Sequence, residues 1–146
     1  MIHTSSHEEM QNAAAEFVSR LNAGDAATVV TLSGELGAGK TTFVQGIAEA
    51  LGVQETVTSP TFVLAKMYPL ENQKWQHLVH IDAYRLKGSH ELKALGWEAL
   101  LADAGNLILL EWPERIAESI PEDAVSVRID IVREGRIISI NGEEKN

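Results

Sequence analysis

Apolar side chains near the start of the chain fall at Met10, Ala13, Ala14, Phe17, Val18 and Leu21. That spacing of three and four predicts a helix over residues 7 to 21 with one buried face. Ser6 stands where an N-cap is needed and Glu9 follows three residues on, the capping-box pattern. Asn22-Ala-Gly-Asp25 ends the segment. The period then changes. Residues 27 to 33 form a short apolar, β-branched run that predicts a buried strand, and residues 42 to 51 return to helical spacing until Gly52. Residues 62 to 68 and 77 to 82 predict two further strands with a compact polar connection through Glu71-Asn-Gln-Lys74, so an antiparallel hairpin is expected within an otherwise parallel sheet. Residues 89 to 95 and 97 to 102 read as short helices interrupted by Gly96. Asn106-Leu-Ile-Leu-Leu-Glu111 has the pattern of a central strand closed by a carboxylate. Residues 113 to 119 read as a helix with Pro113 in its first turn. Residues 125 to 132 and 136 to 140 predict a closing hairpin turned at Glu134-Gly135. With no repeat and no linker, one α/β layer fold is expected to cover residues 1–146 as a single domain.

Between the first predicted strand and its helix lies Gly34-Glu-Leu-Gly-Ala-Gly-Lys-Thr-Thr42. It satisfies the phosphate-loop pattern G-x-x-x-x-G-K-[ST] at Gly34, Gly39, Lys40 and Thr41. Glycines let the backbone fold tightly so that successive N–H groups point at phosphate oxygens, and the helix that follows adds its positive end. Lys40 is placed to reach the β- and γ-phosphates of a nucleoside triphosphate, and the Thr41 hydroxyl to sit on Mg²⁺. Such a loop needs an acidic partner at a neighbouring strand end. Asp82 and Glu111 both end predicted strands, where ligands of open α/β sheets bind. The more apolar strand favours Glu111 as metal ligand, leaving Asp82 to orient water or accept a proton.

Thr58-Ser-Pro-Thr61 puts three hydroxyls on a turn stiffened by proline, readable as a plain turn or as a nucleotide-sensing loop. His77 and His80 would face opposite sides of a strand, which argues against zinc, while His80 and Asp82 share a face. Trp112 either packs as a core aromatic or lies beside the nucleotide. Arg85, Arg115, Arg133 and Arg136 are candidate phosphate contacts.

Charge narrows the field. The formal net charge of −9 argues against independent binding of RNA, which needs clustered Lys and Arg. The chain has no cysteine, hence no disulfide framework and no thiol chemistry, in keeping with a reducing cytoplasm. No membrane-length apolar run or leader-like segment is read from it, so no membrane association is expected.

The segments Gly34 to Thr42, Thr58-Ser-Pro-Thr-Phe62, His80-Ile-Asp-Ala-Tyr-Arg-Leu86 and Glu111-Trp-Pro-Glu114, in this order and spacing, resemble the TsaE (YjeE) family of bacterial P-loop ATPases. That family serves the threonylcarbamoyl modification of tRNA adenosine. The resemblance spans nearly the whole chain and implies a P-loop NTPase domain with a mixed, mainly parallel sheet flanked by helices. It implies that Gly37, Ala38, Gly39, Lys40 and Thr41, with the neighbouring Thr42, hold the phosphates of ATP, and that Thr41 and Glu111 hold Mg²⁺. Asp82 is implied to be the essential acid near the γ-phosphate, Trp112 the tryptophan beside the site, and Thr58 to Thr61 the switch segment. Further nucleotide contacts are implied around Ser6 to Met10 and from the last hairpin at Arg136. TsaD and TsaB are the implied partners, with tRNA reached only through them and an ATP cycle that resets the assembly between turnovers. Outside the resemblance, a small-molecule kinase and a non-catalytic nucleotide-gated module stay open, whereas no Asn-Lys-x-Asp segment supports a GTPase.

Overall fold

The computed structural model describes residues 1–35, 37–55, 57 and 65–141. Its elements in chain order are β1 (Ile2–Thr4), α1 (His7–Ser19), β2 (Thr28–Ser33), α2 (Lys40–Ala50), β3 (Ala65–Pro69), β4 (His77–Asp82), α3 (Ser89–Ala94), α4 (Trp97–Ala102), β5 (Asn106–Glu111), a 3₁₀ segment (Pro113–Ser119), β6 (Val125–Val132) and β7 (Gly135–Ile140). The strands form one seven-stranded sheet in the order β1-β7-β6-β2-β5-β4-β3. Its centre, β6-β2-β5-β4, is parallel, and β3, β7 and β1 are antiparallel to their neighbours. The mixed, mainly parallel sheet with an antiparallel hairpin is therefore the observed architecture.

Strands covered on both faces need apolar residues at every position, and β5 is buried throughout. Alternate residues separate into two cores. Leu107 and Leu109 pack with Val30, Leu32 and Leu78 under α1 and α2, whose Phe17 and Phe43 rings lie 5.6 Å apart. Ile108 and Leu110 pack with Val29, Val79 and Ile81 against Leu92, Trp97 and Ile116 on the other face. Residues 80, 82 and 111 belong by the same alternation to the face carrying α2.

Several boundaries differ from the sequence expectation, each for a local reason. The Ser6 side chain caps α1 through the Glu9 amide at 3.1 Å, but Glu9 reaches back to the amide and hydroxyl of Ser5 rather than to Ser6. Helix α1 stops at Ser19 instead of residue 21: the Arg20 and Leu21 amides turn to the Phe17 and Val18 carbonyls three residues back, and Lys74 donates to the Ser19 and Leu21 carbonyls. Strand β1, three residues long, carries no periodic signal and was not expected; it exists because β7 offers it an edge. The closing hairpin turns at Arg133-Glu134, since Val132 pairs with Gly135. Gly135 opens β7 because a Cβ there would lie 2.0 Å from the Thr4 carbonyl oxygen of β1. The segment expected as a helix after Pro113 is 3₁₀, broken at Ile116 (φ −140°, ψ 38°). Of the strand expected at residues 62 to 68, only the part from Ala65 onward is described, and Thr58 to Thr61 lie outside the described residues.

Candidate phosphate-loop site

Parallel pairing brings the candidate residues together. In register, Asp82 of β4 lies beside Glu111 of β5, and Glu111 beside Leu32 of β2. The ladder runs on past the strand ends: Ala83 N–H donates to the Glu111 carbonyl (3.0 Å) and Trp112 N–H to the Leu32 carbonyl (3.2 Å). Two carboxylates are thus fixed at the carboxyl edge of the sheet, where β2 hands over to the glycine loop. Asp82 closes its strand by accepting from the Tyr84 amide through Oδ1 at 3.0 Å.

Helix α2 begins at Lys40, two residues earlier than its apolar pattern suggests, and Gly39 precedes it in the left-handed region (φ 110°). Gly37 also has positive φ (80°), and a Cβ built on it meets no described neighbour within 4 Å, so no described residue closes over the loop there. The uncapped amides of the first turn of α2 point the same way. Thr41 and Thr42 are half-buried in that turn.

Lys40 is 5% exposed. Its ammonium donates to the Gly34 carbonyl and lies 3.5 Å from the centroid of the Trp112 ring. Burial lowers its pKa from the ordinary lysine value, against the opposing pull of Glu111, Glu114 and Asp82. This is a buried cation with carboxylates nearby and, among the described residues, no direct carboxylate partner at its head group. Trp112 adopts a left-handed backbone (φ 61°) that swings its ring over Lys40. Tyr84 packs against the indole with ring centroids 5.1 Å apart, and Arg115 lies over Tyr84 at 5.5 Å. The tryptophan is therefore a packed aromatic that stands against the loop lysine.

Two cavities flank the loop. One of about 280 Å³ is lined by Ser6, His7 and Met10 at the start of α1, Ala38 and Thr42 of the loop, and Arg136 of β7. The other, about 570 Å³, opens between Ser33, Gly34, Tyr84, Trp112, Glu114 and Arg128. Arg136 donates through Nε to the Ala38 carbonyl (3.0 Å) and through Nη2 to the Gly37 carbonyl (3.3 Å), tying the last hairpin to the glycine loop. Of the other candidate arginines, Arg85 and Arg133 are exposed. Arg115 serves the Tyr84 ring.

Three residues have no role at the site assigned from sequence, although His80 is read as sharing a face with Asp82 and the other two lie in the family-like segments. Tyr84 extends the aromatic stack, Glu114 adds to the charge around Lys40, and His80 sits fully buried with Nε2 2.5 Å from Glu111 Oε2. Strand alternation places His80 on the face of Asp82, and parallel register with β5 was the signal that could have joined it to Glu111.

A central strand running through a glycine loop into a helix that starts at a buried lysine, on a mainly parallel sheet, defines a P-loop α/β protein. Within that class, the chain belongs to the TsaE family, whose model, described as threonylcarbamoyl adenosine biosynthesis protein TsaE, matches residues 4–138. It is 48% identical over 111 residues to a tRNA threonylcarbamoyladenosine biosynthesis protein TsaE of Streptomyces coelicolor, covering 75% of this chain and 71% of that one. A protein of the same description from Rickettsia typhi is 37% identical over 145 residues, covering 97% and 95%. The crystal structure of Bacillus subtilis YdiB superposes with a TM-score of 0.75 at 30% identity, covering 95% of this chain and 82% of that one.

Proposed function

We propose that this protein is an ATP-binding, Mg²⁺-dependent ATPase serving the threonylcarbamoyl modification of tRNA adenosine, next to the anticodon, and that it acts with TsaD and TsaB in the cytoplasm. The observation that carries the ATPase reading is the buried Lys40 ammonium at the start of α2, with Asp82 and Glu111 side by side at the adjoining strand ends. A lysine whose charged form is disfavoured by burial gains from a polyanion laid across the loop, because that ligand restores the solvation it lacks. The pathway and the partners rest on the family, whose members carry that pathway in their names.

The donor set fits magnesium. The groups are hard oxygens, the Thr41 hydroxyl and the Glu111 carboxylate, and Mg²⁺ is usually held by one or two protein oxygens with phosphate and water completing the shell. Among the described residues no cluster of three His, Cys, Asp or Glu side chains forms a closed metal cage, so phosphate and water would complete the coordination. When bound, the ion would neutralise charge on the β- and γ-phosphate oxygens. The protein's own part is positional and electrostatic. Loop amides of Gly37 to Thr41 bind the phosphates, and the Lys40 ammonium moves from the Gly34 carbonyl and indole face to the transferring phosphoryl group. Asp82 orients the attacking water. The nucleoside end lies in the cavity between Ser6, Met10, Thr42 and Arg136, and Trp112 screens Lys40 from solvent. ATP turnover resets the TsaB–TsaD assembly, and the net negative charge leaves tRNA to those partners. No helix among the described residues is long and apolar enough to cross a membrane.

The test is phosphate release from ATP and Mg²⁺, with the protein alone and with TsaB–TsaD, for the parent and for Lys40→Ala. Release by the parent, and its loss by a hundredfold or more in the variant, is the expected result. Equal rates in parent and variant would overturn the assignment. Transfer of phosphate to a small metabolite instead of water would replace it with a kinase.

A further inference from the structure

We infer that His80 is a positioning residue: its imidazole fixes the carboxylate of Glu111 in the orientation needed to hold the divalent cation of a bound nucleotide. The inference deepens the proposed function and rests on its assignment of Glu111 to the metal.

Three observations carry it. His80 has no exposed surface and Glu111 is 3% exposed, so water does not compete for the bond between them. The contact is direct, His80 Nε2 to Glu111 Oε2 at 2.5 Å, and it crosses from β4 to β5 on the face that carries α2. Finally, the other ring nitrogen, Nδ1, is buried with no hydrogen-bond partner among the described residues. A proton on Nδ1 would leave an unsatisfied donor in the core and turn the Nε2 lone pair toward a carboxylate oxygen. The geometry therefore selects the tautomer with hydrogen on Nε2, donating to Glu111.

That bond has a consequence for the carboxylate. A glutamate side chain at a strand end has three torsions to settle, and neighbouring residues 82 and 40 offer an anion and a cation that pull it in different directions. One strong bond to Oε2 from a fully buried ring fixes one end of the carboxylate and so restricts where its second oxygen can lie. Outer partners of metal-ligating carboxylates and histidines act this way, and their loss costs roughly 10–100-fold in metal affinity. A histidine there merely to fill the core would be replaceable by leucine at no cost in metal binding.

The experiment is a pair of titrations on the full chain. ATP affinity is measured in excess EDTA, and Mg²⁺ is then titrated at fixed ATP, for the parent, His80→Leu and His80→Gln. Expected for His80→Leu is an unchanged affinity for metal-free ATP and an apparent Mg²⁺ affinity weaker by about 10–100-fold. His80→Gln, whose amide N–H can occupy the place of Nε2–H, should recover most of the loss. Should His80→Leu not fold, the glutamine variant and the nitrogen chemical shifts of the parent imidazole decide. Protonation at Nε2 with bare Nδ1 is expected, and protonation at Nδ1 would overturn the inference. It would equally be overturned if His80→Leu kept the parent's Mg²⁺ dependence, or if metal-free and metal-loaded affinities fell by the same factor. A parent protein that holds ATP equally well with and without Mg²⁺ would instead remove the assignment of Glu111 beneath it.

Discussion

Lys40 shows how a single residue can be costly to the empty protein and necessary to the loaded one. Its stem and head are enclosed, among the described residues its ammonium is served by the Gly34 carbonyl and the Trp112 face, and burial lowers its pKa despite three nearby carboxylates. The sign of the resulting pH dependence follows directly. Between the lowered folded value and the ordinary value of 10.5, the unfolded chain binds more protons at this position than the folded one, so stability rises with pH. Below the folded value both states are protonated and the penalty on the charged form is present in full. Thermal unfolding of the nucleotide-free protein across the alkaline range, compared with Lys40→Met, isolates this contribution. The parent should gain stability relative to the variant as pH climbs through that window in the nucleotide-free state. Parallel profiles for the two proteins would show that burial does not set the protonation of Lys40. What the sequence could not convey at this scale is the neighbourhood. The motif names Lys40, Thr41, Asp82 and Glu111 without distances, and only the pairing of β4 with β5 reveals that His80 faces Glu111.

Elements were legible where periodicity was sustained. Buried strands β2 and β5, the capped start of α1 and the β3–β4 hairpin follow from side-chain pattern, because each buries a face that its own sequence declares. Strand β1 and the break at Ile116 were not legible, because each depends on a distant partner or on one backbone torsion rather than on a repeating pattern. Gly46 also belongs to this scale. It lies mid-helix in α2, where glycine is a poor choice on propensity, and the reason is α1. A Cβ at residue 46 would lie 2.8 Å from the Gln11 Cα, the Gln11 carbonyl oxygen and the Ala14 Cβ. The two helices cross at that point with backbone against side-chain hydrogen. Gly46→Ala therefore gains about 1 kcal/mol of helix propensity and loses about 2–3 kcal/mol, the upper part of the usual overpacking range, because two of the three close contacts are main-chain atoms that cannot turn aside. A net destabilisation of about 1–2 kcal/mol is expected from denaturant unfolding. Since α2 starts at Lys40, the same shift should weaken ATP binding. A variant as stable as the parent would mean that α1 can move away freely.

At the scale of the whole molecule, the two ends of the chain meet over the loop. Strand β1 pairs with β7 through Thr4 and Arg136, β7 hands Arg136 to the carbonyls of Gly37 and Ala38, and the start of α1 completes the cavity wall. A site that begins with a local motif is thus closed by residues nearly a hundred positions away, and this explains why the motif-poor ends were the hardest part of the site to read. Two roles for Arg136 make different predictions. If its guanidinium orders the glycine loop in advance of any ligand, Arg136→Ala should raise amide hydrogen exchange at residues 37 to 39 in the nucleotide-free protein. ATP should then bind about tenfold more weakly, the equivalent of about 1.4 kcal/mol. Arg136→Lys should restore little, since one ammonium cannot match the planar fork that serves two loop carbonyls at once. If Arg136 acts only by touching the nucleotide, affinity falls while exchange in the empty loop stays at the parent rate. The bonds from Nε and Nη2 to the loop carbonyls favour the first outcome, because they commit the side chain to the loop. Unchanged exchange and unchanged affinity together would mean that the closing hairpin contributes nothing to the site.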